Sequence, residues 1–230
     1  TLSAGTEIKE VLVNYWKNHA SNSKLLKSKL LLHYVTTSNK NIHTHYNYYG
    51  RTKFSVIKNA ISLSLKKSFR ESFINNNLTN NPDLSTPYVY LPLGIILERH
   101  ILIGAPYYTN QIELIRHVAK SLPVSYRLLV KEHPAQKSRE WRPIHEYKQI
   151  MDMPNVTLIH PSFSEKELQK NSSLVISTAG GSAFEAAFLE KPSLIFGDAI
   201  FSYLPSVTKV GALTNLPQTI KNSLDKKVSR

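Results

Sequence analysis

The sequence predicts an α/β protein: a mostly parallel sheet with helices on both faces, preceded by a mainly helical segment. Three observations predict it. From residue 88 onward, short apolar runs alternate with amphipathic stretches, the pattern of strands joined by crossover helices. Two of those runs stop abruptly at polar rims, LLVKEHP at Leu128 to Pro134 and LVISTAGGS at Leu174 to Ser182. Parallel strands read this way where they reach the ligand-binding edge of a sheet. The residues before 75, by contrast, carry helical spacing.

In order along the chain, Ile8, Val11, Leu12 and Tyr15 recur at helical intervals, and so do Leu25, Leu26, Leu30 and Leu31. An Asn/His/Tyr-rich patch from Thr37 to Arg51 has no period. A third amphipathic stretch, Phe54 to Phe73, sets Val56, Ile57, Ile61, Leu63 and Leu65 near one face and Lys66, Lys67 and Arg70 opposite. Asn75 to Pro87 is rich in Asn, Pro, Ser and Thr and offers little to bury, so it reads as a linker. The expected organisation is a basic helical segment over 1–75, a linker over 76–87 and a sheet domain over 88–230.

Within the sheet domain, strands are expected at Tyr88–Leu93, Tyr126–Lys131, Val156–His160, Leu174–Ser177, Ser193–Phe196 and Val207–Leu213. Helices are expected at Asn110–Ser121, Arg139–Met151, Ser164–Gln169, Ser182–Leu189 and Leu216–Leu224. Ile112, Ile115, Val118 and Ala119 share one helical face, and Pro123 closes that helix. The order implies right-handed crossovers.

Composition narrows the function. A hydrophobic share of 41% over 230 residues supports a sizeable core. No apolar run is long enough for a membrane span, and no signal peptide is visible. The sequence starts at Thr1 and reads as part of a longer protein. With no cysteine, disulfides, thiolate metal sites and a Cys nucleophile are excluded; a reducing cytoplasm fits. The net charge of +13 is uneven. Residues 1–87 hold 12 Lys and Arg against 4 Asp and Glu, whereas 88–230 hold 17 against 12. Spread lysines suit a solvated face; contact with a membrane surface or a nucleic acid is the alternative. The basic residues form no recognisable nucleic-acid module, so no nucleic-acid partner is expected.

The candidate site residues sit on the two rims. Gly180 and Gly181 permit a sharp turn and a close backbone approach to a ligand. The helix that opens at Ser182 turns its amide dipoles toward an anion, and Ser177, Thr178 and Ser182 add hydroxyls. A tight strand–helix turn with a Ser cap explains the same residues without a ligand. Glu185 either completes a Ser-x-x-Glu capping box or accepts hydrogen bonds from a pair of sugar hydroxyls. Pro134 holds His133 extended, where its imidazole could meet a phosphate or a sugar oxygen. Lys131 or Arg139 could neutralise a phosphate. Glu98 and Arg99 form a surface ion pair or face the cleft. His43 and His45 lack carboxylate partners at metal-ligand spacing, so no metal site is expected there.

Taken in order, these residues resemble the capsule polysaccharide biosynthesis family of bacterial glycosyltransferases, which includes transferases of 3-deoxy-D-manno-octulosonic acid (Kdo). The resemblance covers about residues 88–215. It rests on Pro92-Leu93 with Glu98, Gln111, Lys131-Glu132-His133-Pro134, Asn155-Val156, Gly180-Gly181 with Glu185-Ala186, Lys191-Pro192 and Phe196-Gly197. The chain departs from the family where Ile96-Leu97 replace a Gln-Pro pair and Gly94 replaces a polar residue.

The resemblance implies a GT-B architecture, two Rossmann-like domains facing a cleft, of which this sheet is the C-terminal, nucleotide-sugar-binding one. It implies a nucleotide-activated sugar as donor, a glycan or glycolipid as acceptor, and no cofactor or metal. Lys131 and His133 would meet the donor phosphate near the turn of Gly180 to Ser182, with Glu185 on the ribose; Arg139, Ser177, Thr178 and Glu98 complete the donor-site set. The catalytic base is not located, and the acceptor domain would lie upstream. A cytoplasmic protein is expected, with basic residues able to touch the inner face of the membrane. A sugar-nucleotide epimerase of the same architecture and a catalytically degenerate binding domain are the rival readings.

Overall fold

The protein is described by a computed structural model over residues 24–37, 52–95, 99–226 and 228. The spacing at Ile8 to Tyr15, most of the patch from Thr37 to Arg51, and Ile96, Leu97 and Glu98 lie outside the described residues. So do the side chains of Arg99, His100 and Arg139. The chain divides into two compact units, Thr1–Ile61 and Ser62–Arg230. That division falls upstream of the stretch 76–87 marked by composition as a linker.

In the first unit, α1 (Lys24–Thr36) leaves Leu25, Leu30, Leu31 and Leu32 exposed. Helix α2 (Lys53–Asn77) runs through the division. Its last turns belong to the second unit: Ile74 is buried, and Phe73 stacks on Tyr147 with ring centroids 6.4 Å apart. The linker's first residues are likewise tied in, because Leu78 is buried and Thr79 bridges to Ile159. No helix among the described residues is long and apolar enough to cross a membrane.

The second unit is built on six parallel strands: β1 (Tyr88–Pro92), β2 (Arg127–Lys131), β3 (Val156–Ile159), β4 (Leu174–Ser177), β5 (Ser193–Ile195) and β6 (Val207–Lys209). Their spatial order is β3-β2-β1-β4-β5-β6. The chain thus winds outward from β1 in one direction and then, from β4, in the other. This is the Rossmann-like, doubly wound arrangement, and its strand order reverses between β1 and β4. Every residue of β4 and β5 is buried, the mark of a sheet covered on both faces.

Connecting the strands are α3 (Arg99–Leu102), α4 (Gln111–Ser121), α5 (Ile144–Met151), α6 (Glu165–Asn171), α7 (Ser182–Phe188) and α8 (Leu216–Leu224). Helices α4, α5 and α8 cover one face through Leu114, Ile115, Val118, Tyr147, Ile150, Leu216 and Ile220. Helices α6 and α7 cover the other through Leu168 and Ala186, packed on Tyr88, Tyr90, Leu129 and Val175. Each such fully buried large side chain contributes about 1.5–3 kcal/mol of transfer free energy. Caps set two of the starts: Asn110 Oδ1 accepts from the Glu113 amide at 3.2 Å, and Ser164 Oγ accepts from Glu167 at 3.3 Å.

Two expected elements differ. The helix expected from Arg139 begins only at Ile144, because Glu140 (φ 77°) and Trp141 (φ 60°) are both left-handed. Arg70 Nη1 donates to both of their carbonyls, at 3.2 and 3.0 Å, and Trp141 is buried in the core. These contacts hold a backbone that costs roughly 1–3 kcal/mol per non-glycine residue. The last strand is short as well. It ends at Lys209, residues 210–212 are irregular, and a 3-10 turn, Leu213–Asn215, begins at the last residue of the expected strand.

Candidate functional site

The two polar rims flank β1. In register, Pro92 lies beside Lys131, and Tyr90 lies beside Val175. Continuing that parallel register by two residues puts Lys131, Pro92 and Ser177 in one row at the strands' C-terminal ends. Two strand spacings of about 4.8 Å then separate the Lys131 and Ser177 backbones by roughly 10 Å. By the two-residue period of a strand, both side chains share the face of Leu129 and Val175. The row marks the strand-order reversal, where sheets of this topology leave a crevice.

Beyond β2, the trio separates into different roles. Glu132 is fully buried, and its Oε2 accepts from Arg142 Nε at 2.7 Å and Tyr147 Oη at 3.0 Å. Its Oε1 accepts from the His133 amide at 2.9 Å. Burial, then the Glu132 charge, pushes the Tyr147 phenol far above its ordinary range, so this hydroxyl stays a donor. Arg142 Nη2 continues to the Gly94 carbonyl at 2.7 Å. Gln111 grips Gly94 at both ends, accepting from its amide at 2.8 Å and donating to its carbonyl at 3.2 Å. The Lys-Glu-His segment and the loop after β1 are therefore locked together by one buried polar network.

His133 is half-buried. Its Nδ1 accepts from the Ala135 amide at 3.1 Å, which in the neutral ring leaves the proton on Nε2 as an available donor. Lys131 is buried at 3% exposure. Its charge reaches His160, which burial first and Lys131 second hold below the usual imidazole range.

On the second rim, Ser177 Oγ accepts from the Gly180 amide at 2.9 Å, so it shapes the turn. Thr178 is buried, and its carbonyl accepts from the amides of Phe196 and Gly197 at 3.0 and 2.7 Å. Gly181 has an ordinary helical φ of −61°, and a Cβ built on it would meet nothing within 4 Å. Neither conformation nor packing requires a glycine there.

The capping-box reading of Ser182 and Glu185 is corrected. Gly181, not Ser182, is the cap residue, and no side chain caps α7. Ser182 Oγ instead donates to Glu165 Oε1 at 3.0 Å, while Gln169 Nε2 donates to Glu185 Oε2 at 3.1 Å. Glu185 itself is exposed. Beneath these groups the Tyr90 hydroxyl is fully buried; among the described residues it makes no hydrogen bond of good geometry, with the Glu165 carboxylate nearby. Burial, then the carboxylates of Glu165 and Glu185, raise its pKa well above 10.

Sequence reasoning brings Lys131, His133 and the turn of Ser177 to Ser182 to one sheet edge. It missed Arg142, Tyr147, Glu165 and Gln169, which lie 10 to 17 residues from the groups they bind, beyond the reach of helical or strand spacing. Among the described residues, no three His, Asp or Glu gather to hold a metal ion.

Fold and rim together define a doubly wound α/β protein with its open edge at the strand-order reversal. The chain belongs to the family described as capsule polysaccharide biosynthesis protein, which it matches over residues 7–229. No curated protein matches the chain. Among solved structures it is similar to the UDP-GlcNAc 2-epimerase of Methanocaldococcus jannaschii, at 17% identity and a TM-score of 0.49, covering 69% of this chain and 43% of that one. It is also similar to the β-Kdo 2,7 transferase of Thermosulfurimonas dismutans KpsC, at 16% identity and a TM-score of 0.45, covering 71% of this chain and 53% of that one. The chain spans about half the length of these solved proteins.

Proposed function

We propose that this chain carries the nucleotide-sugar-binding part of a GT-B glycosyltransferase of capsular polysaccharide assembly. The donor is a nucleotide-activated sugar, CMP-Kdo-like or a UDP-sugar, and the acceptor a glycan or glycolipid. Family membership supports the pathway. The observation that carries the site is Gly181, a glycine unexplained by backbone or packing, facing open space beside the strand-order reversal. A glycine where the fold needs none fits a ligand that comes close to the backbone.

In this reading the donor phosphate sits between the rims. His133 Nε2 donates to it, and the Lys131 charge adds to the local positive potential. Glu185, exposed and held by Gln169, accepts from the ribose hydroxyls. In the reaction the bond from the sugar's anomeric carbon to the phosphate oxygen breaks while the acceptor oxygen bonds to that carbon. The nucleotide leaves with the electron pair, and the acceptor's proton passes to a base outside the residues assigned here. Fixed donors at the phosphate stabilise the charge that develops there. No cofactor or metal takes part.

Calorimetry with CMP and UDP tests the reading. One of the two nucleotides is expected to bind, with His133→Ala and Glu185→Ala each weakening it about tenfold or more, the worth of a hydrogen bond to a charged group. Gly181→Ala should leave stability within about 1 kcal/mol yet weaken the nucleotide similarly. Binding of neither nucleotide sinks the proposal. Conversion of a UDP-sugar without acceptor would make the protein an epimerase, and nucleotide binding without acceptor-dependent turnover a binding domain.

A further inference from the structure

On the opposite sheet face from Lys131 and Ser177, a cavity of about 340 Å³ lies between the N-terminal ends of α4 and α5. Its size falls within the small-molecule range of ~300–1,000 Å³. Ile112 apart, its lining residues are polar, and Thr109, Asn110, His145 and Gln149 are exposed. Among the described residues, Thr109, His145 and Gln149 make no side-chain hydrogen bond, and Asn110 uses only its Oδ1, leaving the amide NH2. Arg142 forms the floor. Its side chain is 4% exposed, with Nε committed to Glu132 and Nη2 to Gly94 and Gln111. Among the described residues its Nη1 makes no hydrogen bond and is ion-paired with Glu146 Oε2 at 3.8 Å.

The character of these groups selects a ligand. An anion needs donors alone, and a cation needs acceptors alone. Here donors (Arg142 Nη1, Asn110 Nδ2) and an acceptor (the Glu146 carboxylate) alternate with groups that do both (Thr109, His145, Gln149). Net charge points the same way: Glu132 offsets Arg142 from behind, Arg116 pairs with Glu113, and the half-buried Glu146 remains against an anion. A sugar hydroxyl both donates and accepts.

We infer that this cavity is a saccharide-binding subsite for an uncharged, hydroxyl-rich glycan residue. Saccharide binding stands independently of the donor site. Assigning the subsite to the acceptor glycan rests on the glycosyltransferase reading, in which the donor phosphate belongs at the rim on the other side. Through Arg142 and Glu132, an occupant would rest on the same network that fixes the His133 backbone.

The test is histidine-selective NMR on the whole chain, with the His145 signal identified by His145→Gln. Probes are N-acetylglucosamine and lactose (neutral), glucuronate (anionic), and CMP and UDP. A neutral sugar should shift His145 saturably with Kd on the order of 1 mM, as expected for a small polar ligand. Glucuronate should bind about tenfold or more weakly, since it brings a carboxylate to Glu146. Gln149→Trp, which fills the cavity, should abolish the shift while the melting temperature holds; if that variant unfolds, Gln149→Ala should weaken binding about tenfold. Absence of a saturable shift with both neutral sugars, persistence of the shift in Gln149→Trp, or equal binding of glucuronate overturns the inference. The nucleotides should move His133 and not His145. Their failure to bind would remove the donor reading and leave the saccharide result standing.

Discussion

Glu132 enters the interior fully buried, and its charge is held there by Arg142, Tyr147 and the His133 amide. Desolvating two such charges is expensive, and their attraction offsets it only while the geometry and the extra hydrogen bonds are complete. Removing one partner strands the other. Arg142→Met should therefore destabilise the protein by about 3–5 kcal/mol in urea unfolding, because Glu132 and the Gly94 carbonyl both lose a donor. Adding Glu132→Gln to that variant should restore a good part of the loss, since no isolated charge remains. Equal destabilisation in the single and double variants would show that the pair's charge is not what matters.

At the level of elements, the loops at the sheet's C-terminal edge are knit around Gly197. A Cβ there would stand 2.4 Å from the Gly104 carbonyl oxygen, 2.7 Å from the Ala105 Cβ and 2.9 Å from the Ala179 Cβ. The Gly197 amide also donates to the Thr178 carbonyl, and the Asp198 amide to that of Gly104. Gly197→Ala must push apart the loops after β1, β4 and β5. We expect a loss of about 1–3 kcal/mol in chemical denaturation, as for other overpacked sites, together with weaker nucleotide binding. That pairing of effects contrasts with Gly181→Ala, where affinity falls alone. The strands and both rims are legible in the sequence, because a two-sided parallel strand reads as an unbroken apolar run and its end as a sudden polar one. The start of α5 is not, since the left-handed pair at Glu140 and Trp141 is held by Arg70, about 70 residues away in the chain. The Glu165–Ser182 and Gln169–Glu185 contacts are equally hidden, as local spacing fits a capping box as well as a ligand contact and says nothing of Glu165 or Gln169.

At the scale of the whole molecule, the C-terminal end of α2 is fastened to the edge of the sheet at β3, and the fastening titrates. His160 Nε2 meets Asn75 Oδ1 at 3.1 Å, Nδ1 meets the Ser162 hydroxyl at 2.6 Å, and its amide donates to the Thr79 carbonyl at 2.9 Å. The Ser162 amide also donates to Nδ1, at 3.2 Å, so the fold uses the neutral ring with its proton on Nε2. Burial and the Lys131 charge hold the folded pKa below the ordinary 6.5. As pH falls below that value, the unfolded chain binds the proton more readily than the folded one. The contribution of His160 is therefore complete above 6.5 and drains away as the folded pKa is approached from above. A protein already at +13 gains further self-repulsion on acidification, but that background is nearly common to wild type and a His160→Gln variant. Melting temperatures measured from about pH 7.5 to about pH 5.5 should then fall more steeply for the wild type than for His160→Gln. Parallel curves would mean that protonation of His160 does not loosen the attachment of α2 to the sheet.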